Sequence, residues 1–320
     1  MSQIDEKIAL STCCCSHRYE DGYAMLEWMA GLGFKNVELS HGISLGLVPG
    51  IIKAVEDGVV GISSVHNFCP LPMGINAPMP NLFKPSSRHK YESSLWNRYS
   101  LETLEFANQI GTDKVVFHSG SVWFFFESPV ARMGRWMDQH SINFIDVAKD
   151  PGFIEIRDKT IKKIKRSSDK YYKALDANFS SIFDSAKELG VLIGLENREG
   201  LAELPLDQDH SSFIKKYYKD SPIRYWHDVG HAEIKVQYGL LNHRERLEDL
   251  KDHLIGFHLH DVNEAGKDHQ EIGTGIIDFK MVAGFIEPQK NDQALVLELS
   301  PSLSEEALLR SRDYVLNLLD

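Results

Sequence analysis

The chain has 320 residues, 42% hydrophobic and 25% charged, an ordinary globular balance with length enough for a sizeable core. Acidic residues outnumber basic ones 46 to 35, giving a net charge of −11, which argues against a general nucleic-acid coat. No apolar run is long enough to span a bilayer, and the opening MSQIDEKIALSTCCC carries acids where a secretion signal carries bases, so a cytoplasmic protein is expected.

The first strand is expected at 7–12 (KIALST), running into Cys13, Cys14 and Cys15. With Cys69 these are the only cysteines; their spacing fits neither a disulfide framework nor a zinc ribbon, and small buried side chains are expected. A helical pattern at 23–32 leads through a glycine to a strand at 36–40 (NVELS), and a third strand follows at 59–66 (VVGISSVH). Residues 66–90 are rich in proline and read as a long loop. A helix at 91–110 precedes the fourth strand, 113–118 (DKVVFH). An insertion at about 119–165 then breaks the rhythm; it holds WFFF (123–126) and KTIKKIKR (159–166). The alternation resumes with a helix at 172–189, a strand at 191–196, a helix at 211–218 and a strand at 223–228. A helix at 244–252, a strand at 254–260, a helix at 279–286, a strand at 294–300 and a helix at 304–318 complete it.

Eight strands alternating with helices predict an α/β fold, a closed parallel (β/α)8 TIM barrel in one domain over 1–320, with the insertion after strand 4. A doubly wound open sheet is the rival, but no glycine-rich phosphate fingerprint follows the first strand.

The last residues of the strands carry the functional signal. The third strand ends at His66, the fourth at His118, the fifth at Glu196 and the sixth at Asp228, with His231 three residues on. The seventh carries His258 and the eighth Glu298. Any one of these alone reads as a satisfied core histidine or a solvated rim charge. Strand C-termini converge on one face of a barrel, however, so the set predicts imidazole nitrogens and carboxylate oxygens around a metal.

Glu on strand five, D-x-x-H on strand six, His on strand seven and Glu on strand eight resemble the xylose isomerase-like TIM-barrel superfamily. That group holds sugar isomerases and epimerases and the endonuclease IV class of abasic-site nucleases (AP endonuclease family 2). The resemblance covers nearly the whole chain in strand order. It implies that Glu196, Asp228, His258 and Glu298 ligate a divalent ion (Mn, Mg, Co or Zn), with Glu196 and Glu298 as the acid/base pair; His231 is read beside them as a catalytic group that polarises or orients a substrate oxygen. In the nuclease branch His66 and His118 match ligands of a second metal, and His231 and His269 match ligands of a third. The third-metal carboxylate falls on Lys267, whose ammonium does not ligate while charged; Asp268 is the neighbouring substitute. His260 and Asp261 are read as groups orienting the ligands.

Trp123, Arg198 and Lys267 are candidate substrate contacts. WFFF reads either as a lid or stacking platform or as a seam with a partner subunit, so a homo-oligomer stays open. KTIKKIKR reads as a solvated helix face rather than a phosphate site. Arg198 is an anion clamp or a salt bridge at the mouth.

The leading expectation is a metal-dependent isomerase or epimerase of a sugar, sugar phosphate or related polyol, working by proton transfer through a metal-stabilised enediolate. The alternative is an endonuclease IV-like phosphodiesterase acting on abasic DNA; Lys267 and the lack of an evident basic, aromatic surface argue against that partner. A non-catalytic sugar- or metal-binding barrel is a third reading.

Overall fold

The computed structural model describes residues 7–75, 77–287 and 293–319. Eight strands form: β1 (Ile8–Ser11), β2 (Asn36–Leu39), β3 (Gly61–His66), β4 (Lys114–Phe117), β5 (Leu192–Glu196), β6 (Ile223–Asp228), β7 (Leu254–Leu259) and β8 (Ala294–Leu297). They pair in parallel in chain order, and β1 closes on β8. The strands match the expected ones but stop up to three residues short of them, most at the end of β8. Most are apolar and buried on both faces, because helices cover the outside and packed side chains fill the inside.

The segment expected to hold a helix only from 172 is different. One continuous 30-residue helix runs Pro151–Ser180, and a short helix, Phe183–Glu188, follows. Asp150 starts the long helix by accepting from the Phe153 amide at 2.8 Å. Its buried stripe, Phe153, Thr160, Ile164, Ser168, Tyr171, Leu175 and Phe179, runs unbroken through the basic stretch. Lys162, Lys163, Lys165 and Arg166 lie on the exposed face, as a solvated helix requires. The insertion therefore consists of helix Pro129–His140, a tight turn at Phe144–Lys149 and the first half of this helix.

Helices at Val48–Glu56 and Val229–Gln237 add to those read from the sequence. Cys14, Cys15 and Cys69 are buried, Cys13 is partly so, and all four are unpaired thiols. Among the described residues no helix is long and apolar enough to cross a membrane.

Candidate metal centre at the barrel mouth

The strand-end residues meet. One ligand atom from each of Glu196, Asp228, His258 and Glu298 lies within 4.8 Å of the others, and all four side chains are buried. His258 is the hub. Its Nδ1 is 2.9 Å from Glu196 Oε1, 3.2 Å from Glu298 Oε2 and 3.8 Å from Asp228 Oδ2. Its Nε2 is 3.1 Å from Glu38 Oε2. Against the penalty of burial, the carboxylates of Glu298 and Glu38 hold the His258 imidazole well above its ordinary pKa.

Glu38 is a member of this constellation that the sequence reading missed. It sits on β2, fully buried, and accepts from Ser11 Oγ at 3.1 Å and Ser64 Oγ at 2.8 Å. The available signal was a carboxylate between Val37 and Leu39, whose neighbours must face the helices when it faces the barrel.

Asp228 ends β6 and caps the next helix: its Oδ1 accepts from the His231 amide at 2.7 Å. His260 Nε2 lies 3.1 and 3.0 Å from the two Asp228 oxygens. The His269 amide donates to His260 Nδ1 at 2.9 Å, so the His260 proton sits on Nε2 and is given to Asp228. Burial, then His269, pushes the His260 pKa down to about 3, which keeps it neutral. His260 is expected to orient a ligand, and its Nε2 meets both oxygens of Asp228. Asp261 does something else: its carboxylate accepts from the amides of Val262, Gly273, Gly275 and Ile277 and folds the loop after β7. Its role is in the loop, not against a ligand.

A second cluster, His66, His118 and Glu196, adjoins the first. His66 Nδ1 donates to the Asn67 carbonyl at 2.9 Å, and His118 Nδ1 lies 3.2 Å from Asn81 Oδ1. Both rings therefore turn Nε2 toward Glu196 Oε2, at 3.9 and 2.9 Å. Burial, then Arg198, pushes the His118 pKa down to about 3, leaving a neutral ring that can ligate. A third cluster joins His231, Asp268 and His269, so Asp268 stands where the pattern had fallen on Lys267. His269 Nδ1 also donates to the Glu298 carbonyl at 2.8 Å.

Arg198 lies inside the mouth. Its Nη1 is 3.0 Å from Glu196 Oε2, and its Nη2 is 3.0 Å from Glu199 Oε2. Trp123 is 61% exposed, and its carbonyl accepts from Tyr171 Oη at 2.7 Å. Lys267 is exposed, and its backbone closes a turn with Asn263. Phe125 and Phe126 project into solvent beside Trp123.

The donors suit a divalent cation. Three carboxylates crowd one imidazole in a buried site, and oxygen with imidazole nitrogen is the ligand set of Mn, Mg, Co and Zn. Burial, with Glu196 adding to it, pushes the Asp228 carboxyl up to about 6.

The sequence model of the xylose isomerase-like TIM barrel matches residues 26–315. No curated protein sequence matches the chain significantly. Among solved structures, a D-tagatose 3-epimerase-like protein is similar at 17% identity and a TM-score of 0.64, covering 98% of this chain and 97% of its own. An apo 3-keto-D-glucoside 4-epimerase from E. coli is similar at 14% and 0.66, with 98% of each chain covered. An L-ribulose 3-epimerase is similar at 16% and 0.66, with 98% and 94% covered. At these identities the likeness is one of fold, while the sequence match extends over most of the chain: this protein belongs to the xylose isomerase-like TIM-barrel family.

Proposed function

We propose that the protein is a divalent-metal-dependent isomerase or epimerase of a sugar or related polyol. The observation that carries this reading is the placing of Glu196 and Glu298, two buried carboxylates meeting at one His258 nitrogen from strands five and eight. Glu196, Asp228, His258 and Glu298 would hold the ion. A bound ion supplies Lewis-acid stabilisation of the negative charge that develops on substrate oxygens when a C–H proton leaves. One glutamate takes that proton, and the other returns one from the opposite face or to the adjacent carbon. His231, fixed at the start of its helix, orients a substrate oxygen. Its burial holds it well below its ordinary pKa, so it acts as a neutral hydrogen-bonding group.

A cavity of about 730 Å³ adjoins the mouth between the insertion and the loops after β5 and β7. Met133, Met137, Phe144, Glu199 and Tyr238 are among its walls. A D-tagatose 3-epimerase-like protein, a 3-keto-D-glucoside 4-epimerase and an L-ribulose 3-epimerase among the similar structures support a sugar substrate.

Deuterium exchange tests the reading. In D₂O with Mn²⁺, wild type should wash deuterium into a carbon next to a carbonyl on at least one of a panel of ketoses, aldoses and inososes. Glu298→Gln should lose this by about 10²–10⁴-fold, the worth of a general base. Turnover without solvent exchange would point to a hydride shift and reduce Glu298 to a ligand.

A second reading, phosphodiester hydrolysis on abasic DNA, is favoured by the two outer clusters, His66–His118–Glu196 and His231–Asp268–His269. Adjacent ions suit in-line attack on phosphorus. Strong incision of an abasic duplex with Zn²⁺ or Mn²⁺, abolished in His66→Ala, would put this reading first.

A further inference from the structure

We infer that Arg198 is a resident cation at the outer oxygen of Glu196 and restricts this centre to a single divalent ion. The inference rests on the reading that Glu196, Asp228, His258 and Glu298 hold a metal. Glu196 divides its two oxygens. Oε1 faces the four-residue cluster, 2.9 Å from His258 Nδ1. Oε2 faces the other way, 2.9 Å from His118 Nε2 and 3.9 Å from His66 Nε2. An ion held by His66, His118 and Glu196 would need Oε2, and Arg198 Nη1 already donates to that oxygen at 3.0 Å. The imidazole pair itself is intact, with both Nε2 atoms aimed at the carboxylate. What it lacks is a free carboxylate oxygen on Glu196.

The guanidinium is held firmly. Nη2 pairs with Glu199 at 3.0 Å and Nε with Glu203 at 3.4 Å, and the Glu203 carboxylate is fixed by the Gly200 amide at 2.9 Å. The Arg198 side chain is only 13% exposed. Its Nη1 also lies 3.2 and 3.4 Å from the two His231 nitrogens, so the same charge reaches the His231–Asp268–His269 cluster. Unlike lysine or histidine, arginine does not shed its proton to admit a metal. A second cation would have to displace a hydrogen-bonded guanidinium and then sit beside its charge. Position 198 lies two residues beyond Glu196, where an extended chain returns a side chain to the same face.

The test counts metal ions, a readout that a merely structural salt bridge would not move. Wild type, Arg198→Gln, Arg198→Ala and Arg198→Lys are loaded with Mn²⁺ or Zn²⁺, dialysed and analysed for metal per chain, with circular dichroism as the check on folding. Wild type should hold one ion, while Arg198→Lys, whose ammonium can give up its proton, should admit a second as the pH is raised. Arg198→Gln and Arg198→Ala should hold two or more. The added ion should vanish in Arg198→Gln/His118→Ala, which assigns it to the imidazole pair. One ion in every folded Arg198 variant, or two or three in wild type, overturns the inference while leaving the first metal in place. A wild type that takes up no ion at all overturns the metal reading and this inference together.

Discussion

Glu38 governs the ring on which the proposed centre turns. It grips His258 Nε2 at 3.1 Å, which leaves Nδ1 directed at Glu196 and Glu298. A group that orients a ligating histidine typically matters about 10–100-fold to metal affinity. Glu38→Gln and Glu38→Ala should therefore weaken Mn²⁺ binding by about that factor without emptying the fold of structure, read by competition with a metal indicator. The same carboxylates fix the pH dependence. His258 is held above its ordinary pKa, so the metal-free ring carries a proton at neutral pH that an ion must displace from Nδ1. Affinity should rise with pH, by up to about tenfold per unit while that proton remains, and calorimetry in two buffers should detect its release. Affinity that is flat from pH 6 to 8 would contradict this. Glu196, Asp228, His258 and Glu298 were legible in sequence because each lies at or beside the C-terminal end of a strand that points it at one place. Glu38 was not, because a lone acid in N-V-E-L-S is equally the exposed face of an edge strand until the barrel is known to close.

At the scale of elements, the junction of β6 with helix Val229–Gln237 sets the Asp228–His260 pair. Gly230 is the spacer. A Cβ built there would lie 2.1 Å from His260 Cε1 and 2.6 Å from its Nδ1. Gly230→Ala should therefore push the imidazole off Asp228. The expected result is a metal affinity lower by about 10–100-fold, with far-UV circular dichroism unchanged. A crystal structure of the variant with His260 still on Asp228 would sink the explanation. This helix escaped the sequence reading because D-V-G-H looks like a strand end followed by a turn, and a glycine in the first turn weakens a helical pattern. The long helix Pro151–Ser180 was obscured for the opposite reason. Its basic run masks a stripe in which Ile164 alone marks the inward face between Thr160 and Ser168. The eight strands were read well because β-branched runs bounded by glycine carry both a period and a stop.

Across the whole molecule, the barrel interior is filled in tiers, and the polar tier rests on an apolar one. Ala9, Val116, Trp226 and Val296, from strands on all sides, form an apolar cluster distinct from the core between strands and helices. Trp226 is its largest member and is fully buried, with its ring 5.2 Å from that of His258. Two glycines make room for it: a Cβ on Gly256 would lie 2.3 Å from Trp226 Cζ3, and one on Gly194 would lie 2.9 Å from Cε3. The pairings explain why, since Trp226 stands opposite Gly256 on β7, and Gly194 lies one strand over on β5. One indole thus plugs the barrel where its neighbours have no side chain, and it supplies the dry floor on which His258 stands. Trp226→Ala should cost about 3–5 kcal/mol in unfolding free energy, because the closed ring of strands cannot collapse onto the void. Trp226→Phe should cost clearly less, since the indole N–H has no hydrogen-bond partner to lose among the described residues. Chemical denaturation of the two variants checks the order. If the indole is floor as well as filling, Trp226→Ala should also weaken Mn²⁺ binding at temperatures where it remains folded. A fully folded Trp226→Ala with wild-type metal affinity would separate the plug from the centre and leave the histidine supported by its carboxylates alone.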